Sequence, residues 1–327
     1  RRGAGDRPHP DDPSQVRLLI ARAATAAPGA ARAMAWGGAL DGCAAPRSLA
    51  LVHPALDVGQ RPVIAHRGNR AHAPENTMEA FRQAVALGAD ALELDVHVSA
   101  DGVPVVHHDA TLDRTTDGTG PLAGRTLAEL RKLDAGARWT GDGGRSHPYR
   151  GREIGVPTLA EVLDGFPTTP LVVEIKTPAA APAVLAALER HGARARVVVD
   201  AFDPASLAPL RGRGIALGAS RAGVVRLLGA ALAGEIGAVP YQAVFVPPAF
   251  HGIPLPVRRF ARLLRPHGVP VHVWTVNHED VAAALWRDGI CGIVTDDPAT
   301  LLALRTRGAG RPPSPAGQAA RPACQLS

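Results

Sequence analysis

The chain has 327 residues, is 46% hydrophobic and 4% aromatic, and carries a formal net charge of +6. It can bury a large core, but no apolar run approaches the roughly 18–20 residues of a membrane-spanning helix, so stable membrane insertion is not expected. The arginines are scattered and no basic run is interleaved with aromatics. This argues against a nucleic-acid partner and for a mild pull on anionic phosphate compounds.

Residues 1–60 carry few order signals and read as an extension, poorly ordered or partly helical, with VRLLIARAATAA (16–27) as a short helix. The chain starts at Arg1 and its first methionine is Met34, so it reads as a fragment, a processed product or an over-extended start. LDGC (40–43) is a poor lipoprotein cleavage site, because Asp41 fits badly and no clean apolar segment precedes it. A cytoplasmic location is expected, with a secreted or lipoprotein form as the alternative. Cys43, Cys291 and Cys324 are few, far apart and odd in number, which indicates neither a disulfide framework nor a zinc site.

From residue 61 to 308 short β-branched runs alternate with amphipathic runs. The strand candidates are PVIAH (62–66), ALELDVHV (91–98), LVVEIKT (171–177), RVVVDAF (196–202), IALGAS (215–220), AVFVPP (243–248), PVHVWTVN (270–277) and GIVTD (292–296). Helical runs follow most of them. The first, PENTMEAFRQAVALG (74–88), sets Met78, Phe81 and Val85 on one face and begins at Pro74. TLAEVLDGF, PAVLAALERHG, DPASLAPLRGRG, RRFARLLRPHG, HEDVAAALWRDG and DPATLLALRTRG repeat the pattern. Eight such units predict an α/β fold of the (β/α)8 TIM barrel type. An open doubly wound sheet competes, but it wants a GxGxxG loop after its first strand, and HRGNRAHAPEN is not one. The long connection 109–157 predicts a small insertion subdomain after the second strand region, over the barrel mouth. Residues 309–327, rich in Pro, Gly and Ala, read as a disordered tail.

Chemistry concentrates at the strand ends. Alternation places Glu93, Asp95 and His97 on one face of ALELDVHV, and Glu174 with Lys176 on one face of LVVEIKT. Three inward acids suit oxygen coordination of Mg2+ or Ca2+; pairing of Glu174 with Lys176 or Arg67 is the alternative. His66 and His108 both end strand-like runs and can exchange protons near neutral pH. Arg67 can fork onto a phosphate, or pair with Glu75 or Glu93. Glu75 is favourable near a helix N-terminus in any case. His97 and His107 read as packing or supporting residues, and Trp274 as either core or a wall for substrate.

The ordered segments HRG…PENT, ELDV, VVHHD.TLDRTT, VEIK, WTVN and GIVTDDP resemble the glycerophosphodiester phosphodiesterase family across about residues 62–306. The resemblance implies hydrolysis of glycerophosphodiesters to sn-glycerol 3-phosphate and an alcohol, with one divalent cation. It implies that His66 and His108 transfer protons and that Glu93, Asp95 and Glu174 hold the metal. It also implies that Arg67 and Lys176 contact phosphate and that Trp274 walls the glycerol. Glu75 and Asn76 match the family signature, with Glu75 near the metal. The nucleophile is water or the 2-hydroxyl of the glycerol, with His66 favoured as acceptor and His108 as donor. A related barrel phospholipase, of lysophospholipase D or phosphatidylinositol phospholipase C type, is the enzymatic alternative, and a non-catalytic phosphate-binding barrel is the other. The expected partner is a small-molecule substrate.

Overall fold

The structure, a computed structural model, describes residues 53–250 and 252–309. The helix expected at 16–27, the LDGC segment, Cys43, Cys324 and the tail beyond 309 lie outside the described residues. No helix among them is long and apolar enough to cross a membrane.

Eight parallel strands form one curved sheet: β1 (Val63–His66), β2 (Ala91–Val98), β4 (Leu171–Ile175), β5 (Val197–Asp200), β6 (Ala216–Leu217), β7 (Val244–Val246), β10 (Val271–Val273) and β11 (Gly292–Thr295). Their spatial order is β6-β5-β4-β2-β1-β11-β10-β7. A parallel bridge from Gly218 to Ala243 joins β6 back to β7 and closes the (β/α)8 barrel. The eight expected strands all lie in it. The first two end where their sequence runs end, and the other six end earlier, because residues such as Lys176, Phe202 and Trp274–Asn277 already belong to the loops of the rim.

Alternation along these strands sorts the side chains. The outward residues Leu92, Leu94, Val173, Ile175, Val197 and Val199 pack under the helices. Inward residues grade from apolar at the floor to ionisable at the rim: Ile64 before His66, Ala91 before Glu93 and Asp95, Val172 before Glu174, Val198 before Asp200. The floor is sealed by residues 53–57, which the sequence reading placed in the extension. Ala55 and Leu56 join the interior cluster, and His53 Nε2 donates to the Leu171 carbonyl at 2.9 Å.

The helices are α1 (Met78–Ala86), α2 (Leu127–Leu130), α3 (Leu159–Gly165), α4 (Ala181–Arg190), α5 (Pro204–Leu207), α6 (Arg221–Ala233), α7 (Val257–Leu264), α8 (Glu279–Arg287) and α9 (Pro298–Leu304). Two differ from expectation. Helix α1 starts four residues after Pro74, because Asn76 takes a left-handed φ of 57° and Thr77 caps Ala80 N–H. Its buried face is Ala80, Phe81 and Ala84, while Val85 faces solvent. Helix α6 was missed: its apolar residues spread around the helix, interrupted by Gly223 and Gly229, and leave a faint period.

The insertion has its own small core of Val105, Leu112, Leu122, Leu130, Ala135 and Val156. It is rooted in β3 (Pro104–Val106), which pairs antiparallel with β2. Trp139 Nε1 donates to the Arg70 carbonyl at 3.3 Å and Tyr149 Oη to the His72 carbonyl at 2.8 Å. These bonds seat the insertion on the loop that follows β1. A second small ribbon, β8 (Ala249–Phe250) with β9 (Ile253–Pro254), rises after β7 and had no sequence signal.

Candidate active site

The rim brings together residues distant in the chain. Register sets Glu93 beside His66 across β1 and β2, and Glu174 beside Asp95 across β2 and β4. Ligand oxygens of Glu93, Asp95 and Glu174 lie within 4.8 Å of one another. Burial, and then the Asp95 charge, push the Glu93 carboxyl well above the usual carboxylate range. Burial also raises Glu174. Asp95, despite burial, is held down by Lys176 and Arg67. Lys176 Nζ sits 2.7 Å from Glu174 Oε1 and 3.3 Å from Asp95 Oδ1, so the pairing alternative is also present. It does not cover the cluster. Among the described residues Glu93 accepts a hydrogen bond only from the Arg67 backbone N–H, at 3.0 Å, and its one ion pair is with His66 Nε2 at 4.0 Å. Asp95 Oδ1 is sealed without a hydrogen bond. Three clustered carboxylates, of which Glu93 forms no ion pair with Lys176 or Arg67 among the described residues, fit an oxygen-coordinated divalent cation.

Asn76 holds Asp95 from both ends: its amide donates to Oδ2 at 2.8 Å and its carbonyl oxygen accepts from the Asp95 N–H at 3.3 Å. Arg67 has a left-handed φ of 54°, an unfavourable conformation for a non-glycine residue that turns its backbone N–H onto Glu93. Its guanidinium reaches Glu75 Oε1 at 2.8 Å and approaches Asp95 Oδ2 at 3.1 Å. Glu75 is bridged to Asp95 through Arg67. Arg67, Arg70 and Arg114 all bind it, and against the effect of burial they hold it far below the usual range. Its carboxylate is paired with all three guanidiniums.

Both histidines carry a carboxylate on Nδ1. His66 meets Asp296 Oδ1 at 2.6 Å, and His108 meets Asp109 Oδ1 at 2.6 Å. Burial would raise Asp296, but the bond from His66 and the charges of His66 and Arg70 hold it at about 2. Asp109 is likewise about 2, burial being outweighed by Arg114 and His108. Burial lowers His108 itself. His97 Nε2 bonds the His108 carbonyl at 3.0 Å and His107 Nε2 bonds the Thr111 carbonyl at 3.0 Å, so both brace the loop that carries His108. Trp274 packs on the interior cluster, meets Phe202 edge-to-face at 6.2 Å, and lines a cleft that Glu174 also lines.

The sequence reading did not single out Asp109, Asp296, Arg114 or Asp200. Asp109 was legible as the residue after His108. Asp296 had no local signal, being 230 residues from the histidine it binds. Asp200 is the register partner of Glu174, and burial followed by the Glu174 charge raises it to about 8.

Residues 66–300 match the model of the glycerophosphoryl diester phosphodiesterase family. A glycerophosphodiester phosphodiesterase of Caldanaerobacter subterraneus subsp. tengcongensis is 33% identical over 75% of this chain and 98% of its own length. The crystal structure of the glycerophosphoryl diester phosphodiesterase domain of a Mycobacterium tuberculosis protein aligns with TM-score 0.67 and 28% identity, covering 76% of this chain and 99% of that one. An Oleispira antarctica phosphodiesterase solved with the product sn-glycerol-3-phosphate aligns with TM-score 0.62 and 28% identity, covering 76% and 97%.

Proposed function

This chain belongs to the glycerophosphoryl diester phosphodiesterase family and is a phosphodiesterase, and on that premise we propose that it hydrolyses glycerophosphodiesters to sn-glycerol 3-phosphate and an alcohol by metal-dependent chemistry with two histidines. One observation carries the reading: His66 and the Glu93–Asp95–Glu174 cluster share one rim with His108, and each histidine has a carboxylate on Nδ1. Glu93, Asp95 and Glu174 would hold one divalent cation, Mg2+ or Ca2+. When bound, that cation supplies charge neutralisation at a phosphate oxygen.

The chain's own groups do the rest. Arg67 and Lys176 stand beside the acids and attract the phosphate into the rim. The carboxylate on each Nδ1 fixes its ring so that Nε2 faces the reaction. His66 Nε2, 4.0 Å from Glu93, accepts a proton from water or from the glycerol 2-hydroxyl. His108 delivers a proton to the departing alkoxide. Trp274 gives the carbon face of the glycerol an apolar wall.

A coupled glycerol 3-phosphate assay across several headgroups, with and without EDTA, tests this. Turnover should vanish in chelator and return with Mg2+ or Ca2+. His66→Ala and His108→Ala should each lose at least about 10²-fold in kcat with an unchanged thermal melt. Undiminished activity in EDTA would remove the metal, and near-normal rates in both variants would remove the histidines.

A further inference from the structure

Three guanidiniums meet the Glu75 carboxylate, and each reaches on to a different acid of the rim. Arg67 joins it to Asp95, at 2.8 Å and 3.1 Å. Arg70 Nε donates to Glu75 Oε2 at 3.0 Å, while its Nη1 lies 3.2 Å from Oδ1 of Asp296, the carboxylate on His66. Arg114 forks onto both Glu75 oxygens at 2.7 Å and 2.8 Å, and its Nε donates at 2.6 Å to Oδ2 of Asp109, the carboxylate on His108. One side chain thus stands in the same ion-pair network as both histidine carboxylates. Helix capping does not account for it: Glu75 precedes the cap Thr77, and among the described residues every hydrogen bond to its carboxylate comes from a guanidinium. Its side chain is 8% exposed, and one fork would balance its charge, so stability alone does not call for three buried or half-buried cations there. The two arms differ. Asp296 is also held by Asn277 Nδ2 at 2.9 Å, whereas among the described residues Asp109 has only Arg114 besides the histidine itself.

We propose that Glu75 is a positioning residue for both histidines, acting on His108 through Arg114 and Asp109 and on His66 through Arg70 and Asp296. The inference deepens the phosphodiesterase reading and rests on its assignment of His108 as proton donor. Arg114 belongs to the insertion, so the insertion helps to set a ring of the site. In the reaction the phosphorus–oxygen bond to the headgroup breaks and a new one forms from water or the glycerol 2-hydroxyl, whose proton passes to His66. The headgroup oxygen takes a proton from His108. A choline alkoxide is too basic to depart without that proton, whereas a p-nitrophenolate leaves as the anion. A His108 ring that has lost its brace therefore fails only on the headgroup that needs the proton.

The test compares choline release from glycerophosphocholine with nitrophenolate release from glycerophospho-p-nitrophenol, in single turnovers with the metal-loaded enzyme in excess. The ratio of the two rates does not depend on the folded fraction. His108→Ala, the reference, should slow choline release at least about 10²-fold and nitrophenolate release less than about tenfold. Arg114→Gln should slow choline release at least about tenfold and leave nitrophenolate release within about threefold. Glu75→Gln, which unsettles both arms, should slow both releases, that of choline at least about fivefold more. Arg70→Gln, which leaves Asp296 its bond from Asn277, should slow both alike and by less than about tenfold. Should Glu75→Gln not fold, Glu75→Asp keeps the charge, draws the carboxylate back by a methylene and carries the same expectation. With His108→Ala discriminating between the esters, equal slowing of the two releases in Arg114→Gln or Glu75→Gln, or no slowing in either variant, overturns the inference and leaves the phosphodiesterase reading standing. A His108→Ala that slows both releases alike removes the donor and the inference with it.

Discussion

Asp109 and Asp296 separate the orientation of the histidines from their chemistry. Each carboxylate is 2.6 Å from an Nδ1 and touches nothing in the acid cluster. An Asn in either place keeps the shape but removes the charge and can present an amide donor that favours the wrong tautomer. We expect Asp109→Asn and Asp296→Asn to lower kcat by about 10–10²-fold, within the range of acid–base catalysis, with KM changed less than threefold. The pH profile supplies the sharper reading, because an imidazolium without its carboxylate holds its proton less tightly. If His108 is the donor, Asp109→Asn moves the alkaline limb to lower pH. An alkaline limb that does not move in Asp109→Asn would defeat that assignment. The residues these carboxylates serve were legible because strand alternation and strand ends are local facts. Glu93 and Asp95 announce themselves by a spacing of two, whereas Asp296 becomes visible only when β11 is laid beside β1.

Thr77 shows how a single element end supports the site. Its hydroxyl donates to the Pro74 carbonyl at 2.7 Å and accepts the Ala80 N–H at 3.2 Å, with the side chain fully buried. One residue therefore caps α1 and fixes the turn that presents Glu75 and Asn76. Thr77→Ala should cost about 1–2 kcal/mol and also lower activity, because the Asn76 clasp on Asp95 loosens. Thr77→Ser should restore most of both. Urea midpoints and kcat measured on the same samples check this, and a stability loss with no change in kcat would separate the cap from the site. The sequence reading placed the helix start at Pro74 because proline and an acid are ordinary first-turn residues. The left-handed Asn76, which redirects the chain, leaves no trace in composition. The same limit hid α6 and the β8–β9 ribbon. A helix with apolar residues on every side has no clear period, and a two-residue strand is too short to alternate. Val224, Val225 and Leu228 of α6 and Phe250 of the ribbon line the cleft beside Trp274, so the chemistry at the rim was easier to read than the cleft that adjoins it.

The barrel as a whole rests on two buried histidines at the opposite end from the chemistry. His53 bonds Leu171 from below, and His272 Nε2 donates to the Ala55 carbonyl at 3.0 Å while its ring stacks on Phe245 at 4.8 Å. Together they fasten the sealing segment to β4 and β10. His272 Nδ1 has no hydrogen-bond partner, which an apolar floor tolerates only while the ring is neutral. Burial lowers both histidines from 6.5 to about 4. Between these values the unfolded chain binds protons that the folded chain refuses, so stability rises with pH across the window. It is fully present above pH 6.5 and is lost as pH falls toward 4, by up to roughly 3 kcal/mol per histidine. Urea midpoints of the wild type should accordingly fall between pH 7 and 4.5. In His53→Gln, whose amide can still reach the Leu171 carbonyl, the midpoint should be lower at pH 7 but decline less steeply. The comparison of slopes isolates the floor from the acids of the rim, which the variant leaves untouched. Parallel pH curves for the two proteins would show that His53 takes up no proton on unfolding, and would end the case for a floor held shut by neutral imidazoles.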